Sequence, residues 1–394
     1  MQNKTPQSKP FVLCLKHLTL LSSFHAKHLD DPNATAFIQT ESKGMNYMNR
    51  IIKYAGIGAA ALALAGMSSF AKAQSVNYKG RTVTIVIGYG FGGTYGKYAR
   101  LMAKHMQRFI KGKPNIVVQS MSGAGGIKAT NYAANVMPPN GLNWIVPPDA
   151  SVVSQLLRPK RTKYDMRKFT SLGSTNQTNT IFVLRSDSGV RKWDDMKRIE
   201  VITGNTGPGS TSFLIPKMMK EMLGLKIKLI SGYKGSSKTI MSMEQGEHQG
   251  TGFNWLAWSS KVPHWFKGDK PFARAILQTG VWKDPDLDKN VPMLKDVVED
   301  KYQPIVSFMA TLGIIGRGLA LPPGAPKDIV PSLRAGFDKM VADKKYIAEA
   351  KKRKLRVIAT KGADVQKFIN NAINNVDKKV AAAASEMIFG KKTN

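Results

Sequence analysis

Residues 81–109 read RTVTIVIGYGFGGTYGKYARLMAKHMQRF, and this stretch decides the fold. Its β-branched opening, 82–87, reads as a buried strand. Glycines at 88, 90, 92 and 93 crowd the turn that follows. Tyr98, Leu101, Met102, His105, Met106 and Phe109 then fall at helical spacing and make one face. The same unit recurs, with a strand at 116–118, a turn at 122–126, a helix running toward Val136, a turn at 138–141 and a strand at 142–146. After Gly173 it restarts, with strands at 180–184, 200–203, 226–230 and 274–278 and helices at 211–223 and 236–245. The proline-rich stretch 321–326 precedes three basic amphipathic helices, which are expected to pack back on the first half. This alternation predicts an α/β protein of two lobes, 74–176 with 317–394 and 177–316, each built on a parallel sheet covered on both faces. The lobes are expected to join near 173–179 and 316–319. Ligands of such sheets sit at the carboxyl ends of strands, so the glycine-rich turns are expected to face one another across a cleft.

Ahead of this stretch, Arg50 and Lys53 precede an apolar run at 54–67 and then Ala71-Lys72-Ala73. A basic start, a short apolar core and small residues at a cleavage point read as a signal peptide over 45–73. The core is shorter than the roughly 20 apolar residues of a membrane span. The expected mature chain begins at Gln74, outside the cytoplasm. Residues 1–44 read as a non-native extension from an overcalled start, with Met45 or Met48 the expected first residue. They hold the only cysteine, Cys14, and three of the six histidines, His17, His25 and His28. Without Cys14 the chain offers no disulfide framework, thiolate nucleophile or cysteine metal site.

The formal charge is +33; residues 1–73 hold eight basic and three acidic side chains, so +28 of it falls after them. Such a balance suits a polyanionic partner. The cations are nevertheless spread along the chain, only 351–354 forms a block, and no nucleic-acid-binding signature accompanies it. Acids are absent between Glu41 and Asp149.

Gly88, Gly90 and Gly93 spell G-x-G-x-x-G between a strand and a helix. A dinucleotide site also needs an acid after the next strand to hold the ribose, and that strand ends in Gln119 within the acid-free stretch. A phosphate-binding Walker loop fails as well, because Gly96-Lys97 is followed by Tyr98. What remains is anion binding at helix N-termini, where free N–H groups and the helix dipole favour a carboxylate or phosphate. Hydroxyls at Thr94, Thr206, Ser210, Thr211 and Ser212 add donors. Catalytic signatures are missing. His105 lies on an apolar face, and His248 and His264 lack metal-ligand spacing. Asp194-Asp195 and Asp284, Asp286 and Asp288 read as acids of a solvated surface, and no serine sits in a nucleophile elbow. Trp255, Trp258 and Trp265 suit either a pocket wall or the core. No catalytic residue, metal or cofactor is expected.

Gly92-Gly93-Thr94-Tyr95, then 98–102 (YARLM), Ser122-Gly123-Ala124-Gly125-Gly126, Pro139-Asn140-Gly141, 206–210 (TGPGS), 232–235 (GYKG), 243–247 (MEQGE) and 321–326 (LPPGAP) occur in this order. The series resembles the extracytoplasmic solute receptors of tripartite tricarboxylate transporters, the Bug family. The resemblance implies a type II-like two-lobed periplasmic binding protein with a ligand cleft between two α/β domains. It would capture a small carboxylate, a di- or tricarboxylate or an aromatic acid, and deliver it to integral membrane permease subunits. It would act as a monomer, without chemistry and without nucleic acid. Residues 92–95 and 207–212 match the loops that clasp the ligand carboxylate from opposite lobes. The expected ligand-binding set is Gly92, Gly93, Thr94, Tyr95, Asp149, Thr206, Gly207, Gly209, Ser210, Thr211, Ser212 and Asn254. Relatives commonly carry Asp where this chain has Gly96, and Val-Asp where it has His248-Gln249. Both departures weaken the expectation of an amino-acid ligand. Two other classes stand as alternatives: a secreted basic protein that binds a polyanionic surface, and a secreted hydrolase.

Overall fold

Residues 78–391 are described by the computed structural model of the chain. The expected signal peptide, its cleavage point and Cys14 lie outside the described residues. The strands are β1 (Thr82–Ile87), β2 (Asn115–Ser120), β3 (Asn143–Val146), β4 (Thr170–Ser174), β5 (Thr180–Arg185), β6 (Val201–Asn205), β7 (Ile227–Ser231), β8 (Gly250–Asn254), β9 (Ala273–Thr279), β10 (Gly318–Leu321) and β11 (Thr360–Lys361). They form two sheets, one in the order β11-β4-β10-β3-β1-β2 and the other β7-β6-β8-β5-β9. The α-helices are α1 (Thr94–Met106), α2 (Ile127–Asn135), α3 (Ser151–Leu157), α4 (Thr211–Leu223), α5 (Ser236–Glu244), α6 (Trp255–Ser259), α7 (Gln303–Met309), α8 (Val330–Ala342), α9 (Lys344–Lys352), α10 (Gly362–Asn374) and α11 (Lys378–Phe389).

The strand read at 82–87 is β1, and the face read on the helix after it is buried. Tyr98, Leu101, Met102 and Met106 of α1 pack with Leu333, Phe337 and Met340 of α8 over one face of the first sheet. Val365, Ile369 and Ile373 of α10 join Val86 and Ile145 on the opposite face. The sheets are mixed rather than parallel throughout. β1 pairs in parallel with β2 and β3, but β10 runs antiparallel to β3 and β4 because it enters from the second lobe. In the second sheet β6 and β7 are parallel, and β5 is antiparallel to β8 and β9.

Four helices rather than three follow the proline-rich break, and the last goes elsewhere. Ala384 and Ile388 of α11 lie in the second lobe's core with Leu214, Met218 and Met309. α3 contributes Val153 and Leu157 to the same core, and Ser385 Oγ of α11 donates to the Leu157 carbonyl at 2.7 Å. An apolar face is buried wherever a complementary face is free, and the outer side of α4 supplies one.

Two neighbouring segments carry the chain between the sheets. Thr175 donates through its N–H (3.0 Å) and its Oγ1 (2.7 Å) to the Arg317 carbonyl. A Cβ at Gly316, with φ +54°, would sit 1.6 Å from the Asn176 carbonyl oxygen, so only glycine allows this approach. Asp284 is a correction to its reading as a surface acid. It is 4% exposed and takes two bonds from Arg356, at 2.8 and 2.9 Å, while Arg356 also donates to the Gln177 carbonyl beside the crossing. A buried carboxylate needs a partner of this kind.

Candidate functional site at the seam between the lobes

Gly90 N–H donates to the Lys234 carbonyl at 2.8 Å, and Gly125 N–H to the Thr206 carbonyl at 3.1 Å. Ser237 Oγ donates to the Gly92 carbonyl at 2.6 Å and Ser154 Oγ to the Gly209 carbonyl at 3.3 Å. The bonds of Gly90, Gly125 and Ser237 cross the seam, so the lobes are closed on each other, while Ser154 ties α3 to the second lobe in whose core it lies. A Cβ at Gly125 would lie 2.5 Å from Ser210 N, and one at Gly209 2.6 Å from the Ile127 side chain. Such contact requires glycine on both sides.

Inside the seam is a cavity of about 20 Å³, lined by Gly93, Thr94, Tyr95, Asp149, Thr211, Ser236, Asn254 and Arg317, with Tyr89, Phe253 and Ala257. That is room for about one water molecule. Three helices of opposite lobes start here: α1 at Thr94, α4 at Thr211 and α5 at Ser236. None has a side-chain cap, and none has an acid in its first turn. Their N-terminal dipoles therefore converge on a cavity whose one carboxylate, Asp149, is already engaged by Arg317.

The strongest charge in the cavity went unread in the sequence. Arg317, just ahead of β10, is 1% exposed. Its Nη1 lies 3.1 Å from Asp149 Oδ2, its Nη2 donates to Thr94 Oγ1 at 3.3 Å, and its guanidinium stacks 3.8 Å from the Tyr95 ring centre. Its Nε has no partner. Burial works against the guanidinium charge, and the field of Tyr95 and Asp149 outweighs it. Asp149 also accepts from Asn254 Nδ2 at 3.1 Å, and its backbone N–H donates to the Tyr95 hydroxyl at 2.7 Å. Burial pushes the Tyr89 and Tyr95 phenols well above 10, so both stay neutral.

Of the residues expected at the site, Gly93, Thr94, Tyr95, Asp149, Thr211 and Asn254 meet around this cavity. Thr206 lines a neighbouring groove of about 290 Å³ with Gly88, Ser122–Gly125 and 232–234. Gly207, Gly209 and Ser210 are packed in the seam. Ser212 spends its hydroxyl internally on Thr206 and Ser210, and Gly92 faces Ser237. Trp258 and Trp265 are core residues, at 0% and 2% exposure, while Trp255, also buried, lines a cavity beside β9. Arg317 and Ser236 were missed, as was Lys261, whose Nζ donates to Ser236 Oγ at 2.8 Å. An arginine after a glycine carries no local pattern, and only the crossing of the two linking segments brings it to the cavity.

The two departures from the expected pattern differ in meaning. A Cβ at Gly96 would lie 2.0 Å from the Phe91 carbonyl oxygen, so no side chain fits there. His248 and Gln249 precede β8, whose far end carries Asn254. His248 Nε2 bonds Ser242 Oγ at 3.0 Å, and Gln249 Oε1 accepts from Ile202 N–H at 2.7 Å. His248 Nε2 also lies 3.1 Å from the Thr239 carbonyl of α5, the helix whose first residue, Ser236, lines the cavity, so the two side chains brace β6 and α5 behind the site. Two larger cavities, each about 530 Å³, open beside β9 and beside α11. Neither gathers helix N-termini from both lobes. The size of the seam cavity reflects closure, since anything larger than a water requires the lobes to part.

No protein-family model matches the chain. Among solved structures the chain is similar to the periplasmic binding protein BugD, with TM-score 0.60 and 19% identity over 76% of this chain and 96% of that one. It is similar to MatC from Rhodopseudomonas palustris with bound malate, at TM-score 0.60 and 18% identity over 76% and 98% of the chains. A third, an R. palustris protein with adipate, gives TM-score 0.59 and 21% identity over 77% and 97%. Among curated proteins it is 28% identical over 183 residues to a UPF0065 protein of Agrobacterium vitis, covering 45% of this chain and about half (51%) of that relative's length. The described chain has the two-lobed α/β fold of periplasmic solute-binding proteins.

Proposed function

We propose that this chain is a Bug-family extracytoplasmic solute receptor that captures a small carboxylate between its lobes and hands it to tripartite-type membrane permease subunits. The observation that carries the reading is the convergence of three uncapped helix N-termini and the buried Arg317 on one interlobe cavity. Positive dipole ends with glycine and hydroxyl donors suit a carboxylate. The ordered motif resemblance, the fold likeness and the partial likeness to the UPF0065 protein support the same reading. Gly93, Thr94, Tyr95, Asp149, Thr211 and Asn254 with Arg317 and Ser236 are its proposed ligand contacts, and Thr206 and the 207–212 loop shape the closed seam. Binding would favour the closed state in proportion to its extra affinity for it. The chain would act as a monomer after export, without catalysis or nucleic acid. Calorimetric titration of the purified protein with malate, adipate and aromatic acids tests this. Saturable binding to one site is expected, and silence across the panel at millimolar concentration would refute it.

A further inference from the structure

Two lysines in the seam have no carboxylate to answer them. Lys97 stands near the N-terminus of α1 in the first lobe, where the helix dipole repels a cation. Its Nζ crosses the seam and donates to the Ser260 carbonyl at 3.1 Å. Lys261, in the second lobe, donates to Ser236 Oγ and Ser237 Oγ, both at 2.8 Å. Neither forms an ion pair among the described residues, although both are half-buried. Burial and then Lys97 pull the Lys261 amine down to about 7, while burial, Lys354 and Arg100 lower that of Lys97. Ser236 ties Lys261 to the cavity, since its hydroxyl oxygen accepts a hydrogen bond from Lys261 Nζ and also lines the space beside Arg317.

In that cavity Asp149 already answers Arg317, so beside it the closed seam holds two amines with no carboxylate partner among the described residues. They come from opposite lobes, and closing the lobes without an anion drives them together against desolvation and repulsion. We propose that Lys97 and Lys261 form a charge gate that takes the second anionic group of a dianionic ligand, whose first carboxylate sits by Arg317 and Thr94. The ligand then joins the lobes electrostatically, and a monoanion leaves the gate unanswered. This rests on the receptor reading above and specifies the ligand class and the residues that select it.

The test is calorimetry of the purified protein with succinate, malate and adipate against butyrate and hexanoate, in the parent and in Lys97→Gln and Lys261→Gln. The parent is expected to bind a dicarboxylate at least 10-fold more tightly than the monocarboxylate of equal length. Each substitution is expected to weaken dicarboxylate binding about 10- to 100-fold, the size of a lost charge-assisted hydrogen bond. Monocarboxylate affinity is expected to stay the same or rise, because a monoanion makes no contact with the gate and the neutral glutamine removes the repulsion. Equal dicarboxylate affinity in parent and both variants, with unchanged thermal unfolding, would overturn the gate and leave the receptor reading standing. Equal binding of mono- and dicarboxylates by the parent would do the same without any variant. Absence of binding by every acid would remove both.

Discussion

Replacing Arg317 by Met keeps the length and most of the volume of the side chain but removes its charge. The pair it forms with Asp149 is buried on both sides, at 1% and 5% exposure, with Nη1 3.1 Å from Oδ2. Once the guanidinium is gone, Asn254 Nδ2 is the side-chain donor left to the Asp149 carboxylate among the described residues. Breaking a buried pair from one side costs about 3–5 kcal/mol, most of it the desolvation of the stranded charge. For about 300 ordered residues the unfolding entropy is roughly 0.7 kcal/mol/K, so Tm should fall by about 4–7 °C. Asp149→Asn should also destabilise, since it strands Arg317. The double variant, with both charges removed, should recover much of the loss and be less destabilised than the sum of the singles. Differential scanning calorimetry of the four proteins closes the cycle. A Tm change under about 1 °C for Arg317→Met, or strict additivity in the double, would refute the view of Arg317 and Asp149 as a mutually dependent buried pair.

Other consequences follow from the same geometry. Gly93→Val places its Cβ 3.4 Å from the Gly90 carbonyl oxygen and from Ser236 Oγ; ligand binding measured by calorimetry should be lost while Tm changes little, because the bulk obstructs closure rather than either core. Gly96→Asp, which restores the acid common in relatives, must displace the Phe91 backbone. It should cost about 1–3 kcal/mol or more, a Tm drop of several degrees in a thermal melt. Binding should also be pH-dependent. An anion against Lys261, beside Lys97 and the Ser236 and Ser237 hydroxyls, raises an amine that stands at about 7 without it. The complex then holds more protons than the free protein above that value, so affinity is full below pH 6 and falls as pH rises, approaching about tenfold per unit above pH 8. A flat titration between pH 6 and 9 would contradict this. Glu349 is held at about 2 by Lys104 and then His105. Its contribution to docking α9 on α1 is present above the ordinary carboxylate range and lost as pH falls through 2, so acid unfolding of Glu349→Gln should be less steep than that of the parent.

The elements that a periodic pattern specifies were legible. β1, α1 and α4 stand where alternation and helical spacing put them, because their buried faces are continuous in sequence. β8 was missed, since GTGFN carries two glycines and little β-propensity. It is a strand because β5 lies alongside it, and its Gly250 touches Leu184 of that strand. The antiparallel β10 was not readable as such either. Its direction depends on a return from the second lobe, a non-local event. At the site, the glycine loops were visible because glycine is required where backbones of two lobes meet. Asp149 stood out as the first acid after a long acid-free stretch. Arg317 and Lys261 did not, among 59 basic residues; burial against Asp149 distinguishes the first, and partial burial without an ion pair among the described residues the second. At 248–249 the two side chains brace β6 and α5.

The central claim is that a small carboxylate lies between the lobes, at the meeting of three helix N-termini with Arg317. A crystal structure of the purified protein with malate or adipate tests it most directly. The account predicts a carboxylate within hydrogen-bond distance of Arg317 and Thr94, with the ligand enclosed by both lobes. A ligand seated instead in the cavity beside β9 or α11, with the seam closed and unaltered, would contradict it.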